Sequence, residues 1–198
     1  MENRENRKAW LAYAWAVSLI VVWGTVAVAL KQPLWATQPS KDLMAFGAAR
    51  GADFKVTEAW RLVVSQWLHV KFPHMLLNAA IIAVVGRAVE VRTGPIVLMA
   101  TGVIGGALGQ LAVLWLQPQD VISGASQAAF ALCAFVLPNA RIKSFAWPAA
   151  VVGIVIGLAL DSVVDGHLQP KPGHLVGGLF GLAAGFTYKI AAARQTVD

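Results

Sequence analysis

The sequence predicts an all-α, polytopic membrane protein: six transmembrane helices in a single domain over residues 1–198, with a long, membrane-associated first loop. Three features carry that prediction. Of 198 residues, 58% are hydrophobic and only 13% are charged, about half the charged share of a soluble domain, and the mean hydropathy is +0.63. Charge-free apolar runs recur at lengths near the roughly 17–25 residues that a helix needs to cross a bilayer core. Eight Trp residues suit the headgroup level, where indole rings are favoured. Together these exclude a soluble enzyme, a disordered tail and a coiled coil, and the single cysteine, Cys133, excludes a disulfide scaffold.

The runs can be followed in order. Ala9 to Leu30 is the first. Phe72 to about Val91 is the second, with Arg87 and Glu90 at its end. Thr93 to Gln119, Val121 to Ala140, Ser144 to Leu160 and Pro172 to Tyr188 follow. Frequent Gly and Ala suit close helix packing in lipid. The first run is too long for a cleavable signal peptide and lacks a clear small-residue cleavage site. Six spans put both termini on one side, together with the 2–3 and 4–5 loops. That side holds a net charge of +5 and the opposite side +1, out of +6 in all. The positive-inside rule therefore expects residues 1–8 and 189–198 in the cytoplasm, and without a transit peptide the expected setting is a bacterial inner membrane. Topology thus accounts for the basic excess, and no nucleic-acid partner is implied. Residues 31–71 are the one long loop. Its second half carries Phe54, Val56, Trp60, Leu62, Val63, Val64, Trp67 and Leu68, too apolar for free water, so it is expected to be partly helical in the outer interface.

Polar groups at membrane depth are costly and point to function. His74 and Asn78, four apart, share a helix face and both can donate hydrogen bonds. On an ideal helix His69 turns away from His74, which argues against a zinc site of the i, i+4 type. Bonding between helices would also explain the His/Asn pair. At the head of span four, Ser123-Gly124-Ala125-Ser126-Gln127 joins a glycine that permits a tight turn to a serine near a helix N-terminus, where free N–H groups and the dipole favour developing negative charge. At the head of span six, His174 follows Gly173, and Gly173, Gly177, Gly181 and Gly185 repeat every four residues as a small-residue face. Packing that face on span four would bring His174 to Ser126, and a serine hydroxyl needs such a base. Cys133 lies deeper in an apolar run and reads as an inert packing residue. Spans two, four and six all start on the outer side, so a nucleophile, a base and two donors can converge at one depth, as acyl transfer requires. Asp161 and Asp165 are near His174 in sequence but in a loop, and no acid is placed to orient it. Water must reach such a site, so Gln117 to Ser123 is expected to line a cavity open to the outside, and the loop from His167 to Pro172, or span five, to gate it.

Four motifs therefore run in order: Trp60-Arg61, His69-x4-His74-x3-Asn78, Gly124-Ala125-Ser126, and Gly173-His174 followed by Gly177 and Gly181. In order and spacing, from about Glu58 to Gly185, the chain resembles the rhomboid family of intramembrane serine proteases. The resemblance implies that Ser126 is the nucleophile and His174 the general base, a dyad without a third carboxylate. It implies that the Ser126 N–H, His74 and Asn78 bind the oxyanion, and that Trp60 and Arg61 support the first loop. Substrates would be membrane proteins with a single transmembrane helix, cut near the outer face of the lipid bilayer, with no metal or other cofactor. Two positions depart from the family. Gln127 replaces a glycine that lets spans four and six pack tightly, and Phe130 stands where many members have a tyrosine against the catalytic histidine. Two other readings remain at this point. One is a rhomboid-like protein that binds transmembrane helices without cutting them, supported by Gln127. The other is a small transporter with a proton path through His69, His74 and His174, which lacks the internal repeats such proteins carry.

Overall fold

The computed structural model describes residues 10–139, 145–165 and 171–195, with residues 161–165 described by backbone alone. Residues 1–8, Arg141, Lys143, His167 and residues 196–198 lie outside the described residues, as do the side chains of Asp161 and Asp165. Helices dominate: α1 (Leu11–Ala29), α2 (Phe72–Thr93), α3 (Pro95–Leu116), α4 (Ser126–Val136), α5 (Ala146–Asp165) and α6 (Pro172–Arg194). Four of them, α1, α2, α3 and α6, are long and apolar enough to cross a membrane. The chain is a helical, multi-pass membrane protein. Prolines mark helix starts at Pro73, Pro95 and Pro172, where the missing N–H has no intrahelical partner to lose.

The expected fourth span, Val121 to Ala140, is corrected. Its helix begins only at Ser126 and has 11 residues. Val121–Ile122 instead form a strand, β2, antiparallel to β1 (Ala49–Arg50) in the first loop, with Ala49 opposite Ile122. Those two residues are apolar and β-branched, so their composition suits either state. Every residue of α4 is buried. A helix enclosed by protein needs neither a lipid-facing surface nor the full thickness of the bilayer.

Helices α2, α3, α5 and α6 contact α4. The closest approach is made by α6, and its glycines explain why. A Cβ at Gly177 would stand 2.6 Å from the Gln127 carbonyl oxygen, one at Gly185 2.6 Å from that of Phe135, and one at Gly181 would collide with that of Ala131. Both series step by four residues, about one helical turn, so a row of glycines lies on a row of carbonyls. This is the small-residue face read from the sequence, and it lies on α4.

The first loop is partly helical, with short helices at Ser40–Leu43 and Arg61–Val64. Arg61 organises it. Its Nη1 donates to the carbonyls of Met44 and Ala48, each at 2.9 Å, and its Nε donates to Glu58 at 2.9 Å. The guanidinium also sits 4.7 Å from the Trp60 ring centre. Trp35, Val56 and Trp60 leave apolar surface exposed on this loop. At the other end of the molecule, Glu90 of α2 accepts the N–H groups of Leu11 and Ala12 at 3.1 and 2.8 Å. It thereby caps α1, whose own N-cap residue, Trp10, supplies no side-chain bond.

Two glycines of α6 should respond oppositely to substitution. Gly181→Val is expected to destabilise the protein by about 1–3 kcal/mol, because carbonyl backbone cannot yield as a side chain can. Gly178 has no atom within 4 Å of its added Cβ, so Gly178→Ala should leave stability unchanged or raise it by up to about 1 kcal/mol. Thermal unfolding in detergent distinguishes the two.

Candidate active site

Ser126 is the first residue of α4, and its Oγ lies 2.8 Å from His174 Nε2. His174 reaches that place because it stands in the first turn of α6, above the glycines that hold α6 against α4. Both residues are buried. Phe130, one turn along α4, stacks on the imidazole with ring centres 4.4 Å apart and planes 3° from parallel. Gly157 of α5 makes room for that ring: a Cβ there would come within 2.6 Å of Phe130 Cζ. Stacking and the hydrogen bond to Ser126 together define the plane and direction of the imidazole. A hydroxyl bonded to an imidazole in this way can pass its proton as it attacks a carbonyl.

A cavity of about 480 Å³ opens at this point. His74, Asn78, Ser123, Ser126, Gln127 and His174 are among its lining residues, and Cys133 lies deeper in its wall. Among the described residues, no Asp or Glu lines it. Ala125, the residue before α4, offers no side-chain cap. Among the described residues, the backbone N–H groups of Ser126 and Gln127 have no hydrogen-bond partner, so the helix presents free donors beside the serine. No group of three or more His, Cys, Asp or Glu among the described residues could hold a metal ion.

The loop leading into Ser126 is held by the first loop. Gly124 takes φ 115°, a conformation L side chains rarely adopt. Its N–H donates to the Ser65 carbonyl at 2.9 Å, and its own carbonyl accepts Gln110 Nε2 at 3.2 Å. Ser65 Oγ in turn bonds to Gln110 Oε1. The Ala125 N–H donates to His69 Nε2 at 3.2 Å, and Asn78 Nδ2 meets the same nitrogen at 3.0 Å. His69 stands before α2, not on it, so the ideal-helix expectation that turned it away from His74 does not apply. The two rings meet edge to face, 5.7 Å apart. Burial pushes the His69 imidazole down to about 3, with His74 adding in the same direction and the Trp67 carbonyl opposing.

Gln127 does not part the helices. Its stem lies between two further glycines: a Cβ on Gly109 of α3 would stand 2.8 Å from its Cβ, and one on Gly173 3.1 Å from its Cγ. Its Oε1 ends 3.3 Å from Ser126 Oγ. Trp60 and Arg61 are not among the lining residues of the cavity.

Residues 56–191 match the Rhomboid domain. This chain belongs to the rhomboid family. Among similar proteins, "Rhomboid-like protease 3" of Toxoplasma gondii is 30% identical over 92 residues, which cover 46% of this chain and 35% of that protein. "RHOMBOID-like protein 7" of Arabidopsis thaliana is 29% identical over 135 residues, covering 63% of this chain and 41% of that protein. The chain spans less than half the length of these curated relatives.

Within the rhomboid fold, sequence reasoning brought Ser126, His174, His74 and Asn78 together, and all four line one cavity. It missed the bonds of His69, and it missed Gly109 and Gly157, whose small size shows only once Gln127 and Phe130 lie against them. Gly124→Ala should lower stability by about 1–3 kcal/mol through backbone strain, although its Cβ would meet only ordinary contacts at 3.7 Å or more. A thermal midpoint equal to wild type would contradict the strain.

Proposed function

We propose that this rhomboid is an intramembrane serine endopeptidase that hydrolyses peptide bonds in or near transmembrane segments of membrane proteins. The observation that carries the proposal is the 2.8 Å contact between Ser126 Oγ and His174 Nε2, on an imidazole backed by Phe130. Ser126 Oγ attacks the scissile carbonyl carbon while its proton passes to His174. The oxyanion takes hydrogen bonds from the Ser126 N–H, His74 and Asn78. Collapse breaks the C–N bond, and His174 returns the proton to the leaving amine. Water then attacks the acyl ester, His174 takes the water's proton, and the released Oγ recovers it as the acid departs.

A scissile carbonyl inside a helix is bonded and shielded, so the substrate helix must unwind locally before attack. Unwound backbone is tolerated at membrane depth only where polar partners receive it, and the cavity supplies such partners. In this reading the protein sits in a bacterial inner membrane with both termini in the cytoplasm and cuts near the outer face.

The rival of a different class is a rhomboid-like protein that binds transmembrane helices without cutting them. Its support is Gln127, whose Oε1 offers the serine proton a second acceptor at 3.3 Å. The shorter contact to His174 favours the protease.

A fluorophosphonate probe and a reporter carrying one transmembrane helix separate these readings. Wild type is expected to label and to cleave, whereas Ser126→Ala and His174→Ala should do neither while remaining folded. His74→Ala and Asn78→Ala should each lower kcat, by up to about 10²–10³-fold. A folded wild type that neither labels nor cleaves would overturn the protease reading in favour of helix binding.

Gln127→Gly removes the competing acceptor. A hydrogen bond of about 0.5–1.5 kcal/mol corresponds to roughly a two- to tenfold faster labelling rate. A rate unchanged or lower in the folded variant would show that Gln127 does not restrain the serine.

A further inference from the structure

We propose that His69 is a positioning residue, fixing the orientation of the Asn78 carboxamide and the path of the loop into Ser126 before substrate arrives. This rests on the proposed hydrolase and deepens it.

The Ala125 backbone N–H can only donate, and it points at His69 Nε2 from 3.2 Å. That nitrogen must therefore be the acceptor of the ring. A neutral imidazole with Nε2 as acceptor carries its proton on Nδ1, and the carbonyl of Trp67 is 3.3 Å from Nδ1 to receive it. Since Nε2 accepts, Asn78 must turn its NH2, not its oxygen, toward His69 across 3.0 Å. One of the two Nδ2 protons is used there. The other stays with an amide whose orientation is now decided, on a residue that lines the cavity with Ser126. Rotated the other way, Asn78 would offer its oxygen where its second N–H now stands, and would repel an oxyanion instead of binding it.

The same ring nitrogen thus serves two parts of the site that are far apart in the chain: an oxyanion donor on α2 and the turn that ends at the nucleophile. Ser65 and Gln110 hold the Gly124 peptide, so His69 adds the next peptide along. His69 is buried and is not among the residues that line the cavity. It acts through Asn78 and Ala125 rather than by touching substrate.

Two measurements test this. The first does not require activity: histidine ¹⁵N NMR of the protein in detergent, with His69 assigned by its disappearance in His69→Gln. The expected signature is the neutral Nδ1–H tautomer, and an Nε2–H tautomer or an imidazolium at neutral pH would overturn the proposal. The second is a kinetic cycle of His69→Ala, Asn78→Ala and the double variant on the transmembrane reporter. His69→Ala is expected to lose about 10²-fold in kcat, the scale of a small misplacement in an active site, with KM little changed. The double variant should fall no further than the more impaired of the two single variants. Losses that multiply, or a His69→Ala protein that melts lower yet keeps wild-type kcat, would overturn it. His69→Gln offers an amide oxygen as acceptor and should regain part of the loss. If His69→Ala does not fold, His69→Gln replaces it in the cycle with the same criterion. A wild type without activity would count against the hydrolase, while the tautomer still decides the role of His69.

Discussion

The backbone of α6 lies on the backbone of α4, with glycines 177, 181 and 185 against the carbonyls of residues 127, 131 and 135. Lipid tails are as apolar as leucine side chains, so helices in a bilayer gain little from burying one another and rely on close packing. Removing the side chains from one face allows that packing at backbone distance. Its chemical consequence follows from rigidity. A histidine in the first turn of α6 and a serine at the head of α4 are brought to 2.8 Å by two rods in contact at three successive glycines. A larger residue anywhere on that face would separate the two groups.

The second constraint is the enclosure of α4. Helices α3, α5 and α6 all contact it, and each supplies space for one of its side chains. Gly109 and Gly173 admit the Gln127 stem, and Gly157 admits the Phe130 ring. The Gln127 side chain is therefore matched by an absence of side chains opposite it. Gln127 occupies room that its neighbours leave, and the helices stay together.

The first loop holds other segments of the chain in place. Arg61 closes it by holding the carbonyls of Met44 and Ala48, and Trp67 ties it to Ser18 of α1 at 2.8 Å. A loop made rigid in this way can hold another loop. Through Ser65, His69 and the pairing of β1 with β2, it grips the chain from Val121 to Ala125. The turn before Ser126 thereby has partners for its backbone groups without being helical, which burial requires.

Much of this was legible in the residues alone, because it depends on local periodicity. Apolar run lengths mark the helices, and α1, α2 and α3 begin and end within about three residues of the expected bounds. The four-residue spacing of glycines marks the face of α6, and a Gly two residues before Ser126 marks the turn at φ 115°. The start of α4 was not legible, since Val121 and Ile122 suit helix and strand alike until Ala49 and Arg50, some seventy residues earlier, pair with them. Nor was the position of His69, which depends on where α2 starts and on an N–H donor 56 residues away. Patterns within one element report which side chains share a face. Which faces meet, how closely, and which nitrogen accepts a proton are decided by contacts between segments distant in the chain, and those exist only once the helices have packed.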